Sequence, residues 1–202
     1  MEYIFSVIIG YLFGSFNSAS IISGLRGYDI KKIGTKNAGA SNVFISVGKV
    51  YGVIVAVFDI LKAFLAAEIA FLLFSESKEL AILSGVMAVV GHIFPFWMKF
   101  NGGKGLAPFM GILLFYDWKL FFILVFFIAA IILITDYIAI GALCVTAFMP
   151  LYTVIFKGEY LIGAFLLVLA ALMWYKHKEN INRLKNGTEI GFRKKNKIKK
   201  EP

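Results

Sequence analysis

Leu120-Phe-Phe-Ile-Leu-Val-Phe-Phe-Ile-Ala-Ala-Ile-Ile-Leu-Ile134 contains no polar side chain. Six further apolar stretches lie around it: Tyr3–Ile22, Tyr51–Phe74, Leu80–Met98, Leu106–Tyr116, Ile138–Phe156 and Tyr160–Tyr175. Of the 202 residues, 60% are apolar. A water-soluble domain of this size could not hide that much apolar surface, so lipid is the solvent these stretches require. Crossing a hydrocarbon core takes about 20 residues at about 1.5 Å each. Tyr3–Ile22, Tyr51–Phe74, Leu80–Met98 and Ile138–Phe156 approach that length. Leu106–Tyr116 is too short to cross alone. It is expected as a short span in a thinned or protein-surrounded region, with a re-entrant helix as the alternative. Tyr3–Ile22 follows Glu2 instead of a basic segment and outruns a signal-peptide core, so it is expected to remain as a transmembrane helix.

The expected architecture is an all-α integral membrane protein of about seven transmembrane helices, some short, with a cytoplasm-facing polar site. A single polytopic membrane domain covers 1–192, and a basic cytoplasmic tail covers 193–202.

Charge orients the spans. The formal net charge is +9. One side receives Arg26, Lys31, Lys32, Lys36, Lys49, Lys99 and Lys104, with ten more basic residues from Lys176 to Lys200: seventeen of the 21 Lys and Arg. The other side receives Lys78, Lys119 and Lys157, and Lys62 falls inside the second span. The positive-inside rule then puts the C-terminus in the cytoplasm and the N-terminus outside. Basic residues in short loops and a tail suit anionic membrane lipid and small phosphorylated ligands, not nucleic acid. Cys144 stands alone, which excludes an intrachain disulfide and a Cys-based zinc cluster. The carboxylates are too scattered for a metal cage, so no metal or other cofactor is expected.

Three polar segments follow the first, third and seventh spans and so emerge on one side. Gly34-Thr-Lys-Asn-Ala-Gly-Ala-Ser-Asn42 concentrates glycine, hydroxyls and carboxamides. Its candidates for contact with an anion are Thr35, Lys36, Asn37, Gly39, Ser41 and Asn42, through side chains or freely turned backbone N–H groups. Phe100-Asn-Gly-Gly-Lys-Gly105 sets Lys104 beside Gly102 and Gly103, a point charge among accessible backbone donors. It is not a Walker A loop, because the spacing and the preceding strand are missing. His177-Lys-Glu-Asn-Ile-Asn-Arg183 continues to Glu189, and at helical spacing His177 and Asn180 share a face, with Arg183 near it. Together the three segments make a site for a multiply anionic ligand at the membrane surface. Asp59 and Lys62, three apart in the second span, are expected to pair, since each alone would be costly in lipid. His92 is expected as a satisfied interfacial histidine.

The residues Gly14-Ser15, Gly34–Asn42, Gly48, Asp59-Ile-Leu-Lys62, Gly91-His-Ile-Phe-Pro95, Gly102-Gly-Lys-Gly105, His177, Asn180-Ile, Arg183-Leu184 and Glu189 occur in this order over almost the whole chain. In this combination the sequence resembles the bacterial acyl-phosphate-dependent glycerol-3-phosphate acyltransferase family, PlsY. The resemblance implies seven transmembrane helices and transfer of a fatty acyl group from acyl phosphate to the 1-hydroxyl of glycerol 3-phosphate. The product would be lysophosphatidic acid. It also implies that Lys104, His177 and Asn180 serve catalysis, and it adds Ser15 to the substrate-binding set of Thr35, Lys36, Asn37, Gly39, Ser41, Asn42, Gly102, Gly103, Lys104 and Arg183. An acyl phosphate is an activated anhydride, so positioning, oxyanion donors and charge neutralisation suffice without a protein nucleophile. The hydroxyl proton goes either to a substrate phosphate or to His177.

Four positions depart from the family pattern: Lys36 for glycine, Ile45 for arginine, Pro108 for threonine and Ala139 for serine. They leave a paralogue with another acyl donor or acceptor as one alternative. The other is a non-catalytic protein that binds or moves a phosphorylated metabolite. A transporter would carry polar residues deep in several spans, whereas Asp59, Lys62 and Glu68 all lie on one.

Overall fold

The computed structural model describes residues 1–193, so all but the first residue of the expected basic tail lies outside the described residues. Among the described residues every regular element is helical. The first expected span is two helices, α1 (Glu2–Ser15) and α2 (Ser18–Leu25). Between them Phe16 is extended, and the Asn17 side chain accepts from the Ser20 amide at 2.8 Å, the capping contact that starts a new helix. The Asn17 amide also donates to the Ala38 carbonyl at 3.2 Å, which ties the break to the loop that follows α2.

A short helix, α3 (Ala40–Ser46), precedes α4 (Lys49–Leu73). Next, α5 (Lys78–Ile93) stops at Phe94-Pro95, where the proline disfavours further helix, and a 3₁₀ turn spans Phe96–Met98. Then come α6 (Leu106–Tyr116) and α7 (Trp118–Thr135), the latter capped by the Asp117 carboxylate accepting from the Lys119 and Leu120 amides at 3.0 Å. The chain closes with α8 (Ile138–Lys157), α9 (Tyr160–Lys176) and α10 (Lys178–Lys185).

α5 is the centre of the bundle and packs on α1, α4, α6 and α9. Hydrophobicity cannot drive helix pairing in lipid, so close backbone approach must, and small residues permit it. Gly10 and Gly14 of α1 press on the Ser84 and Ala88 carbonyls of α5, and a side chain at either would collide with backbone. The larger core side chains, among them Phe109, Ile112, Met149, Leu166, Leu169 and Met173, fill the space between α5, α6, α8 and α9. By contrast, α7 lies at the edge and exposes Phe122, Ile123, Phe126 and Ile134.

Four segments are long and apolar enough to cross a membrane: Glu2–Leu25, Lys78–Met98, Trp118–Thr135 and Ile138–Lys157. The pair α9 and α10, bent by 51°, would raise the count to five. Length and apolarity therefore stop short of the expected seven. The 25 residues of α4 include Asp59, Lys62 and Glu68, and the 11 residues of α6 make a helix about 16 Å long. Pro108–Leu113 of α6 are buried among α4, α5 and α7, an enclosure that suits a helix too short to face lipid on all sides.

Candidate active site

The three polar segments come together around one cavity of about 340 Å³. Thr35, Asn37, Gly39 and Ser41 line it from the first segment, Lys104 from the second, and His177, Asn180 and Glu189 from the third. Apart from Asp59 and His92 the rest of the wall is apolar, with Val53, Ala56 and Ile60 of α4 facing Val125, Ile128 and Ile132 of α7 and Ala142 of α8. The cavity thus has a polar head and a greasy body.

Asn42, expected at the ligand, instead holds its own loop together. Its Oδ1 accepts from the Thr35 amide at 2.9 Å and the Ser46 hydroxyl at 3.1 Å. Its Nδ2 donates to the carbonyls of Ile30, Ile33 and Asn37 at 3.0–3.1 Å. A fully buried carboxamide with every donor and acceptor engaged is a scaffold, and it sets Thr35 and Asn37 on the wall. Gly34, at φ 56, lies against Asn42 Oδ1 and Ser46 Oγ, so a side chain there would break this arrangement. Lys36 adopts left-handed backbone at φ 57 and lies off the cavity wall.

Gly102 and Gly103 also differ from expectation. Their amides donate to the Ile93 and His92 carbonyls at 2.9 and 3.0 Å, which satisfies the C-terminal end of α5 and leaves no N–H for an anion. Both glycines press so closely on His92 that a side chain at either position would collide with it. Lys31 Nζ fastens the same loop through Asn101, donating to its backbone and side-chain oxygens at 2.8 Å. Lys104 is left projecting inward, and among the described residues it is the one lysine or arginine on the wall. Burial, with Arg183 nearby, lowers its pKa from 10.5 to about 8, which leaves it an ammonium at neutral pH.

Lys104 Nζ donates to Asn180 Oδ1. Asn180 Nδ2 donates in turn to Glu189 Oε1 at 2.5 Å, and Arg183 Nε donates to Glu189 Oε2 at 2.6 Å. Arg183 is therefore behind the wall and orients Glu189, which orients Asn180; it does not line the cavity. His177 caps the bend where apolar α9 gives way to polar α10. Its Nδ1 is 2.8 Å from the Met173 carbonyl, which can only accept, so Nε2 holds the free lone pair. Burial lowers its pKa to about 4, and the imidazole is neutral at physiological pH. Ser15 is not on the wall: its hydroxyl donates to the Tyr11 carbonyl at 2.7 Å, and its carbonyl accepts from Trp97 Nε1 at 2.6 Å.

Three polar wall residues were outside the expected set. Glu189 was visible in the sequence as the end of the third segment, but its role needs the fold. Asp59 and His92 also line the cavity. The expected Asp59–Lys62 ion pair is present at 2.8 Å, and His92 is buried beside it instead of lying at an interface. Two of the departures, Ile45 and Ala139, put apolar side chains on the wall. Among the described residues no group of three or more His, Cys, Asp or Glu is placed to hold a metal ion.

Residues 4–187 match the family model described as glycerol-3-phosphate acyltransferase. A glycerol-3-phosphate acyltransferase of Thermotoga petrophila is 38% identical over 183 residues, covering 90% of this chain and 92% of the relative. One of Desulfotalea psychrophila is also 38% identical, covering 96% of this chain and 100% of the relative. The fold superposes on the crystal structure of PlsY, an integral membrane glycerol 3-phosphate acyltransferase, in its glycerol 3-phosphate form. That match has a TM-score of 0.86 at 33% identity, over 95% of this chain and 96% of the other. The lysophosphatidic acid form of PlsY matches with a TM-score of 0.84, also at 33% identity, over 95% of each chain. With its bundle of apolar helices and a polar-headed cavity built from the three polar segments, this multi-pass membrane protein belongs to the glycerol-3-phosphate acyltransferase family.

Proposed function

We propose that the protein transfers a fatty acyl group from acyl phosphate to the 1-hydroxyl of glycerol 3-phosphate, releasing inorganic phosphate and lysophosphatidic acid. The observation that carries this is the cavity's division into a polar head, held by Lys104–Asn180–Glu189–Arg183, and an apolar body between α4 and α7. An acyl phosphate has that shape, and a family relationship to glycerol-3-phosphate acyltransferases supplies the acceptor.

In the reaction the glycerol oxygen bonds to the acyl carbon and the carbon–oxygen bond to phosphate breaks. Lys104 neutralises charge on a phosphate and on the departing group, and Asn180 fixes the ammonium in place. The hydroxyl proton ends on a phosphate oxygen. A phosphate monoester has a second pKa of about 6, while His177 is held down to about 4, which makes His177 the poorer base. His177 Nε2 then serves as a hydrogen-bond acceptor that orients the hydroxyl. Seventeen basic residues on one side support a cytoplasmic site and C-terminus, an external N-terminus, and a single membrane domain over 1–192 with its basic tail against anionic lipid.

The test is direct: purified protein in detergent, given acyl phosphate and glycerol 3-phosphate, should release inorganic phosphate only when both are present. No release from folded protein would overturn the proposal. Ile45 and Ala139 on the wall favour, as the second reading, a paralogue with another acceptor, which a panel of phosphorylated and unphosphorylated polyols would reveal.

A further inference from the structure

His92 has no part in the reaction as derived above, yet it is 2% exposed and lines the same cavity as Lys104. Its surroundings determine which ring nitrogen carries the proton. A lysine ammonium has three N–H donors and nothing with which to accept. Around Lys62 Nζ stand three acceptors: the Phe16 carbonyl at 2.7 Å, Asp59 Oδ1 at 2.8 Å and His92 Nδ1 at 3.0 Å. The break between α1 and α2 is what supplies the first of these, because Phe16 would otherwise keep its carbonyl in a helix. Ser18, just after the break, donates to Asp59 Oδ1 at 3.0 Å and fixes the carboxylate.

With all three ammonium donors used, His92 Nδ1 accepts and its lone pair is engaged. Asp59 Oδ1 stands 3.6 Å from Nδ1, too far to draw a proton onto that nitrogen. The ring hydrogen is therefore on Nε2. That edge of the imidazole lies against Gly103, which has no side chain to accept it. Among the described residues Nδ1 has a partner and Nε2 has none. His92 and Lys104 line the same cavity, and an anionic oxygen bound there would both accept from Nε2–H and pair with the Lys104 ammonium.

We infer that His92 Nε2–H is a further hydrogen-bond donor to a phosphoryl oxygen of the bound substrate, beside Lys104, with Lys62 and Asp59 as the positioning residues that set its tautomer. The inference rests on the phosphate-handling function proposed above. It gives the buried Asp59–Lys62 pair a task beyond holding α4 to α1 and α5, because a different tautomer would turn a lone pair toward the phosphate. It also explains why position 103 is glycine: the ring edge must stand next to the loop that carries Lys104.

The chain has two histidines, so ¹⁵N-histidine labelling with one variant assigns every ring nitrogen. In ligand-free protein His92 should show a protonated Nε2 and a bare Nδ1. Glycerol 3-phosphate or inorganic phosphate should move the Nε2–H resonance without changing the tautomer. His92→Phe should lower kcat/KM at least tenfold, and His92→Gln, whose amide can offer an N–H near the same point, should recover part of that loss. The substrate whose KM rises identifies which phosphate is held. The double change Asp59→Asn with Lys62→Met removes the tripod without leaving a lone buried charge, and should give a mixed tautomer with reduced kcat/KM. A protonated Nδ1 in the wild type, an Nε2 resonance indifferent to phosphate, or wild-type kcat/KM in folded His92→Phe would each overturn the inference. Should that variant not fold, the wild-type spectrum decides alone. Should the wild type show no acyl transfer, the proposed function falls while the inorganic phosphate titration still tests the donor.

Discussion

Replacing Lys104 by alanine removes the one ammonium that the described residues place on the cavity wall and leaves Asn180 Oδ1 without its donor. A charge-assisted hydrogen bond contributes about 1.5–3 kcal/mol, and about 1.4 kcal/mol corresponds to a factor of ten in rate. Arg183, behind the wall and already bound to Glu189, cannot reach forward to replace it without breaking that pair. The expected loss in kcat/KM is therefore tenfold to about a hundredfold, measured as phosphate release by detergent-purified protein. The pH profile supplies an independent check with a defined sign. Because the Lys104 pKa is lowered to about 8, wild-type activity should fall as pH rises through about 8. Stability should move the other way. The unfolded lysine, at 10.5, binds more protons than the folded one between about 8 and 10.5, so this group's contribution rises with pH across that window. Lys104→Ala should abolish both trends. Near-wild-type turnover in a folded variant, or an unchanged alkaline limb, would refute the assignment and make Lys104 an interfacial lysine that reaches toward lipid headgroups.

Lys36→Gly should leave kcat/KM within about threefold and raise the melting temperature, since a non-glycine residue in left-handed backbone costs about 1–2 kcal/mol; a tenfold loss of activity would restore Lys36 to the site. Asn42→Ala should lower stability by about 3 kcal/mol, because it strands several buried backbone groups at once, read as a lower thermal midpoint in detergent. If instead the midpoint holds while KM rises, Asn42 touches substrate after all. A reporter fused after Pro202 should read as cytoplasmic and one inserted in Ser75–Lys78 as external, and finding both on one side would remove the topology.

Much of this protein was legible in the order of its residues, and each part for a physical reason. The apolar runs declare a membrane solvent because nothing else tolerates them, and the asymmetry of lysine and arginine divides the loops into two sets. The expected order of spans puts the three polar segments on one side, the structure gathers them around one cavity, and the Asp59–Lys62 spacing of one helical turn is enough to expect a pair. Sequence could not separate the residues that face a ligand from those that build the wall. Asn42, Gly102 and Gly103 have the chemistry of anion binders, but tertiary contacts within the loop and with the end of α5 consume their hydrogen bonds. Lys36 has the charge, but its backbone sets it off the cavity wall. Conversely, Phe16 offers nothing in a list of residues. Only where the chain breaks between α1 and α2 does its carbonyl become free, and only there can it complete the set of acceptors around Lys62 that orients His92. Local pattern determines where a segment lies relative to the bilayer, because hydrophobic transfer acts residue by residue. The role of a polar group depends on which partner takes its hydrogen bond, and for a group buried between helices that partner is chosen by the packing of distant parts of the chain.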